Sequence, residues 1–258
     1  MMERYRGIIA SIIATMLRES KDNEDDDIAI EELRDLFTPG SEDGIDIEDL
    51  LEYISNSTDG SILIIKKGGR RVARMTDKIS LYLMLHQMNY NLATTDLLRW
   101  QDFEKLVKYA LEENGFITKN NFRFKSSSGK RYEIDVIAID KLSKEHLIML
   151  VDAKHWDFRT NSSASRIVEA ANAQFDRAVA LGDSKKVLAD LFFDLKLEWN
   201  DALLLPCVTT LLPPPVQNFS IPIVSILSFN SFILDFSENM GFFKKKIVKN
   251  IPIQKKLL

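Results

Sequence analysis

Cysteine is nearly absent from this sequence. Cys207 is the only one among 258 residues, and histidine occurs three times. A single cysteine excludes an internal disulfide and any cysteine-rich zinc site. Cys207 lies in the apolar run LLLPCVTTL, where a buried packing role is expected. An apolar run long enough to cross a bilayer is absent too. The N-terminal segment Ile8–Leu17 carries Ser11 and Thr15 and is too short. It follows Arg4 and Arg6 as a signal-peptide core would, but no small-x-small cleavage site comes after it and the chain turns acidic. The expectation is an amphipathic core helix in a cytoplasmic protein. A strong net charge is also missing. The formal value is −4, and 45% hydrophobic with 28% charged residues is a soluble globular composition.

The small net charge conceals an uneven distribution. Residues 1–99 hold 12 Lys/Arg against 19 Asp/Glu, a net of −7, whereas residues 100–258 hold 22 against 19, a net of +3. The bias is too mild to argue for or against a nucleic-acid partner. The length allows one large or two modest domains.

In the first half, residues 3–19 read as a helix and the charge run KDNEDDD (21–27) as a solvated linker. Short helices follow at Ile28–Phe37 and Asp46–Ser55. SILIIK and RVARMT then flank Gly68-Gly69, a hairpin signal. Asp77–Tyr90 is helical, and His86 among Leu83, Met84, Leu85 and Met88 reads as a helix-packing histidine. Three helices and a β-hairpin follow the winged-helix order. The last helix before the hairpin, the one a groove would take, is acidic (Asp46, Glu48, Asp49, Glu52), which suits a protein contact better than a major groove. The hairpin is basic: Lys66, Lys67, Arg70, Arg71 and Arg74 are candidate DNA contacts. Asn91–Leu98 has no Gly or Pro and reads as a stiff connection.

The chemistry concentrates between Trp100 and Leu181. Trp100, Phe103, Val107 and Leu111 repeat at helical spacing, with Glu104 in the same stripe. Asn114-Gly115 reads as a helix cap and Phe116–Lys125 as a strand. YEIDVIAI (132–139) alternates as a strand, with Glu133, Asp135, Ile137 and Ile139 on one face. HLIMLVDAKHW (146–156) is a nearly all-apolar strand, as expected when helices cover both sides. It ends with Asp152 and Lys154 on one face, and His155 on the other. If the two strands are neighbours, Glu133, Asp135, Asp152 and Lys154 gather at one sheet end. Crowded carboxylates of this kind suit a hard cation, Mg²⁺ or Mn²⁺. Acid-x-Lys triplets occur four times, at Glu19, Asp152, Asp183 and Asp194. Only the one at Asp152 closes an apolar strand behind another strand with an inward Asp. Downstream, Ile167, Ala170, Ala171, Ala178 and Leu181 form a helical stripe that includes Gln174.

Asp135 followed by Asp152-Ala153-Lys154 resembles the PD-(D/E)xK nuclease superfamily, with Ile134 where that pattern has its nominal proline. The wider run, FEKLVKYALEENGF, EIDVIA, LVDAK and a Gln-bearing helix, is similar to the Mrr-like restriction endonucleases and the archaeal Holliday-junction resolvases. The resemblance covers about Trp100 to Phe236. It implies an α/β mixed sheet with a restriction-endonuclease-like αβββαβ core, behind the winged-helix-like helical domain. The boundaries expected are 1–95 for that domain, 96–240 for the catalytic domain and 241–258 for a basic tail. The resemblance implies catalytic roles for Asp135, Asp152, Lys154, Glu104 and Gln174. It implies metal ligation by Asp135, Asp152 and the Ala153 carbonyl, with Glu104 or Glu133 direct or through water. Lys130, Arg131 and Arg159 are further candidate DNA contacts beside the site. The activity implied is a Mg²⁺- or Mn²⁺-dependent DNA endonuclease with a restriction or defence role. The alternatives are a junction or repair nuclease, which would act as a homodimer, and a non-catalytic DNA- or protein-binding module.

Overall fold

The computed structural model describes residues 5–23, 25–37, 46–92, 96–155, 163–214 and 220–253. The chain divides into two compact units, residues 1–102 and 103–258.

The first unit begins with α1 (Arg6–Asn23), which buries Ile9, Ile12, Ile13, Met16 and Leu17. A short strand β1 (Asp27–Ala29) leads into α2 (Ile30–Phe37), and α3 (Ile47–Ser57) follows. Asp46 caps α3 by accepting from the Glu48 N–H at 3.2 Å. The hairpin pairs β2 (Ile62–Lys67) with β3 (Arg70–Met75), and β1 adds to the other edge of β3, giving the order β1-β3-β2. Gly68 and Gly69 both adopt positive φ, 58° and 81°, as a two-residue hairpin turn requires. Asp77 then caps α4 (Lys78–Gln87) by accepting from the Ile79 and Ser80 N–H groups.

Two expectations fail in this unit. The run 21–27 is not a solvated linker: α1 extends to Asn23, and Asp27 opens β1. Asp26 lies within ion-pair distance of Lys78 (2.5 Å) and Arg99 (3.2 Å), and Asp27 pairs with Lys67 and Arg74. Counter-charges distant in sequence recruited the acids into the fold. His86 is exposed near the end of α4, because the packed face of that helix is formed by Leu81, Tyr82, Met84 and Leu85.

The second unit is built on α5 (Trp100–Glu113), β4 (Ile117–Lys125), β5 (Arg131–Ile139), β6 (Leu147–Lys154), α6 (Ser163–Asp183), α7 (Lys185–Asp194), β7 (Asp201–Thr210), β8 (Ile223–Ser225), α8 (Ile226–Asn239) and β9 (Lys246–Lys249). The order α5-β4-β5-β6-α6-β7, with α7 added before β7, is the αβββαβ arrangement implied by the resemblance. α5 ends at Gly115 (φ 82°), with Phe116 N–H donating to Leu111 O and Gly115 N–H to Glu112 O. The sheet runs β4-β5-β6-β7-β8, antiparallel through β6 and parallel from β6 to β8. β6 and β7 are buried almost throughout. The core between sheet and helices takes Ile137, Ile139, Ile148 and Leu150 from the strands, and Ala178, Leu181, Leu188 and Phe192 from α6 and α7. Cys207 is buried as expected.

The C-terminal segment departs from the expectation of a basic tail. Lys246–Lys249 pairs antiparallel with Asp201–Leu204 of β7, and Val248 and Ile251 enter the core. The lysines masked this, since only Val248 of β9 faces inward. Trp100, expected in the buried stripe of α5, is 55% exposed; Phe103, Val107 and Leu111 are fully buried.

Candidate active site

β5 and β6 are bridged from Ile139–Ile148 down to Val136–Val151. One step further, the ladder opens. Asp135 would there stand opposite Asp152, and instead its Oδ2 accepts from the Ala153 N–H at 2.8 Å. The alternation in β5 is interrupted at the same place. Ile134 joins Ile137 and Ile139 in one core cluster, across the two faces that strict alternation would give them. The neighbouring strand shows the matching feature, with Asn121 at φ 50° between the bridged pairs Asn120–Val136 and Phe122–Ile134.

Asp152 is 2% exposed. Lys154 Nζ lies 3.0 Å from both of its oxygens, but Oδ2 accepts no hydrogen bond of proper geometry. α6 supplies the wall behind it. Gln174, fully buried, donates from Nε2 to the Leu150 carbonyl at 2.8 Å. Its Oε1 accepts from Arg177 Nη1 at 2.8 Å, and the same Nη1 is 3.4 Å from Asp152 Oδ1. Arg177 is a member of the site that the sequence did not reveal. The available signal was its position three residues after Gln174, which puts both on one helix face.

Glu104 is half-buried on α5. Burial, and then the Asp135 charge, push its carboxyl up to about 6. Asp135 is likewise raised above the usual carboxylate range, by burial and by the Asp152 charge. Asp135, Asp152, Lys154 and Glu104 therefore share one electrostatic environment, with Gln174 supporting it. Glu133 is exposed on β5, and its charge also acts on the Glu104 carboxyl. It stands opposite Arg123 on β4 and takes two hydrogen bonds from it, at 3.1 and 3.2 Å. Among the described residues, no three His, Cys, Asp or Glu side chains form a group able to hold a metal ion by themselves. The oxygens that fit a hard cation are those of Asp135 and Asp152, including the unsatisfied Oδ2. Mg²⁺ commonly completes its shell with water and phosphate oxygens, so two protein carboxylates are a workable donor set. His155 packs beside Phe103, with ring centroids 6.0 Å apart.

Next to the site, a cleft of about 580 Å³ is lined by Arg123, Phe124, Lys125, Arg131, Tyr132 and Glu133. Lys130 and Arg131 are exposed at its rim, with Lys130 Nζ 5.0 Å from the centre of the Tyr132 ring. Arg159 lies outside the described residues. In the first unit, the basic hairpin is largely neutralised. Lys67 and Arg74 pair with Asp27, and Arg71 pairs with Glu48 at 2.6 Å. Lys66 and Arg70 are exposed beside the hairpin turn.

Residues 95–182 match the Mrr_cat family model, whose description is restriction endonuclease. No curated protein matches. Two solved structures show remote likeness. The protein of unknown function AF1548 is 18% identical over 54% of this chain, with a TM-score of 0.32. The restriction endonuclease FokI is 11% identical over 90% of this chain, with a TM-score of 0.28. This chain spans 65% of the length of the first and 40% of the second. Residues 95–182 of this chain are a restriction-endonuclease-like domain of the Mrr type.

Proposed function

We propose that this chain is a metal-dependent endonuclease that hydrolyses phosphodiester bonds in DNA, in a restriction or defence role. The observation that carries the reading is the state of Asp152: a buried carboxylate beside Asp135, with a lysine 3.0 Å away and one oxygen lacking a hydrogen bond.

Asp135 and Asp152 would hold Mg²⁺ or Mn²⁺. The N–H and C=O of one strand residue point to the same side, as in a bridged antiparallel pair. Ala153 gives its N–H to Asp135, so its carbonyl is directed to the same opening and adds a third oxygen. When bound, the metal lowers the pKa of a coordinated water and offsets charge on the scissile phosphate. Lys154 orients the attacking water and stabilises the negative charge that develops on phosphate oxygen. Glu104, whose carboxyl is raised in the metal-free site by burial and by the Asp135 charge, would meet the metal directly or through water. Gln174 holds the end of β6 in place through Leu150. Lys130 and Arg131 contact the phosphate backbone along the adjoining cleft. In the winged-helix-like first unit, contact falls to Lys66 and Arg70, whose neighbours are already paired with acids.

The test is a cleavage panel of supercoiled plasmid, linear duplex, single strand, four-way junction and structured RNA, each with Mg²⁺, Mn²⁺ or EDTA. Metal-dependent cutting that disappears in Asp152→Ala supports the nuclease. Preference for the junction would favour a resolving role over restriction. Undiminished cutting by a folded Asp152→Ala protein refutes the assignment.

A further inference from the structure

Arg177 stands inside the site with no part in the chemistry above. Its Nη1 lies between Gln174 Oε1 (2.8 Å) and Asp152 Oδ1 (3.4 Å). Gln174 is itself fixed by its bond to the Leu150 carbonyl, so the guanidinium is anchored on one side and pressed to the buried carboxylate on the other. Lys154 approaches the same carboxylate. Two cations therefore face the two carboxylates Asp135 and Asp152, and both cations act electrostatically on Asp135 as well. A guanidinium does not lose its proton at any working pH. The balance cannot relax by deprotonation, and a divalent cation must enter against two positive charges.

We propose that Arg177 is a positioning residue that holds Asp152 in the metal-free site and keeps divalent-cation affinity low until a substrate phosphate arrives. This rests on the nuclease reading above. The phosphate brings the negative charge that the site lacks. The guanidinium can transfer its fork of donors from one carboxylate oxygen to phosphate oxygens. Asp152 is then left to the metal. Metal and DNA binding become coupled, and the coupling is reciprocal: each tightens the other by the same factor.

The experiment is Mn²⁺ titration of the full chain by calorimetry and by the electron paramagnetic resonance of free Mn²⁺. It is run alone and with a phosphorothioate duplex that resists cleavage, on wild type, Arg177→Met, Arg177→Gln, Arg177→Lys and Asp152→Asn. Removing a positive charge this close should tighten Mn²⁺ binding without DNA by at least about ten-fold. In Arg177→Met the duplex should then add far less to Mn²⁺ affinity than in wild type. Arg177→Lys, which keeps the charge, should stay near wild type. Arg177→Gln retains a polar partner for Gln174 and replaces the methionine variant if that fails to fold. Mn²⁺ binding that is unchanged or weaker in the neutral variants overturns the inference alone, provided wild type binds Mn²⁺ and Asp152→Asn does not. Wild type that binds no Mn²⁺, or Asp152→Asn that binds it equally, overturns both the metal reading and the inference.

Discussion

The main-chain N–H of Ala153 donates to Asp135 Oδ2 at 2.8 Å, one step beyond the last bridged pair of β5 and β6. That bond turns the end of a ladder into a site. It fixes the carboxylate of one strand against the backbone of the next, where the pairing would otherwise fray. Asp135 and Asp152 are thereby held together despite their mutual repulsion, and the fold bears the cost.

Removing the Asp135 charge should therefore stabilise the metal-free protein while abolishing cleavage. Asp135 and Glu104 both have folded-state pKa values above their ordinary ones. A carboxyl raised in this way favours the folded state when protonated. For Glu104 that advantage is complete below its ordinary value of 4.5 and is lost as pH rises through about 6. Above that pH the ionised pair weighs on the fold. Asp135→Asn should raise Tm at about pH 7.5 by a few degrees and change it little at about pH 5. Mg²⁺ should raise the wild-type Tm at the higher pH more than at the lower, and leave Asp135→Asn nearly unmoved. Thermal unfolding at the two pH values, with and without Mg²⁺, checks this; a lower Tm for Asp135→Asn at pH 7.5 would contradict it.

Much of this site was legible because its signals are periodic. The apolar run before Asp152 is that of a buried strand, and the stripe from Ile167 to Leu181 placed Gln174 inward, as found. What was not legible depends on partners far away in sequence. Glu133 was counted with the acids of the site, but its ion pair with Arg123, which strand pairing brings opposite it, was not foreseen. Asp26 and Asp27 looked solvated because Arg99 and Arg74 are 73 and 47 residues away. Arg177 was indistinguishable from any cation on an amphipathic helix until Asp152 was seen beneath it.

Gln174 should act on stability and on activity together. It is fully buried and spends both ends of its amide, on Leu150 O and on Arg177. Gln174→Leu leaves the carbonyl without that donor and the guanidinium without its anchor. The expected loss is about 1–3 kcal/mol, the penalty for an unmade buried hydrogen bond. Urea unfolding measures it. Metal-dependent cleavage should fall in parallel, because the end of β6 is no longer held. Full activity in a clearly destabilised variant would show that Gln174 supports the fold and not the site.

The basic hairpin should divide into residues that bind DNA and residues that hold the unit together. Lys66→Ala and Arg70→Ala should each weaken DNA binding and reduce its salt dependence, by a slope change of about one per phosphate contact. Arg74→Ala should leave that slope alone and lower stability, since Arg74 makes two bonds to Asp27. Asp27 itself is held well below the usual carboxylate range by Arg74 and Lys67. A depressed acid contributes stability above its ordinary pKa of 3.8, lost as pH falls further. Asp27→Asn should thus cost stability at neutral pH and lose less on acidification than wild type. Fluorescence anisotropy at several salt concentrations, beside acid unfolding, separates the two groups; a shallower salt slope for Arg74→Ala would remove the distinction.

The last strand should prove necessary to the second unit. Gly182, near the end of α6, lies so close to β9 that an added Cβ would meet Lys246 Cγ at 2.8 Å and Val248 Cγ2 at 3.0 Å. The end of the Lys246 side chain can move, but its Cγ and the Val248 methyl are close to the backbone of a paired strand. Gly182→Ala should therefore push β9 from β7 and destabilise the unit, by about 1–3 kcal/mol for an overpacked contact. Truncation after residue 245 removes Val248 and Ile251 from the core and should cost more than the substitution. Hydrogen exchange at the β7 amides locates the effect, because only the half of β7 from Asp201 to Leu204 pairs with β9. Loss of protection at the alternate amides that face β9, with protection kept at Leu203, whose N–H donates to His146 O, and from Val208 to Thr210 where β8 pairs, is the expected pattern. A truncated protein as stable as the full chain would return residues 241–258 to the role of a solvated tail.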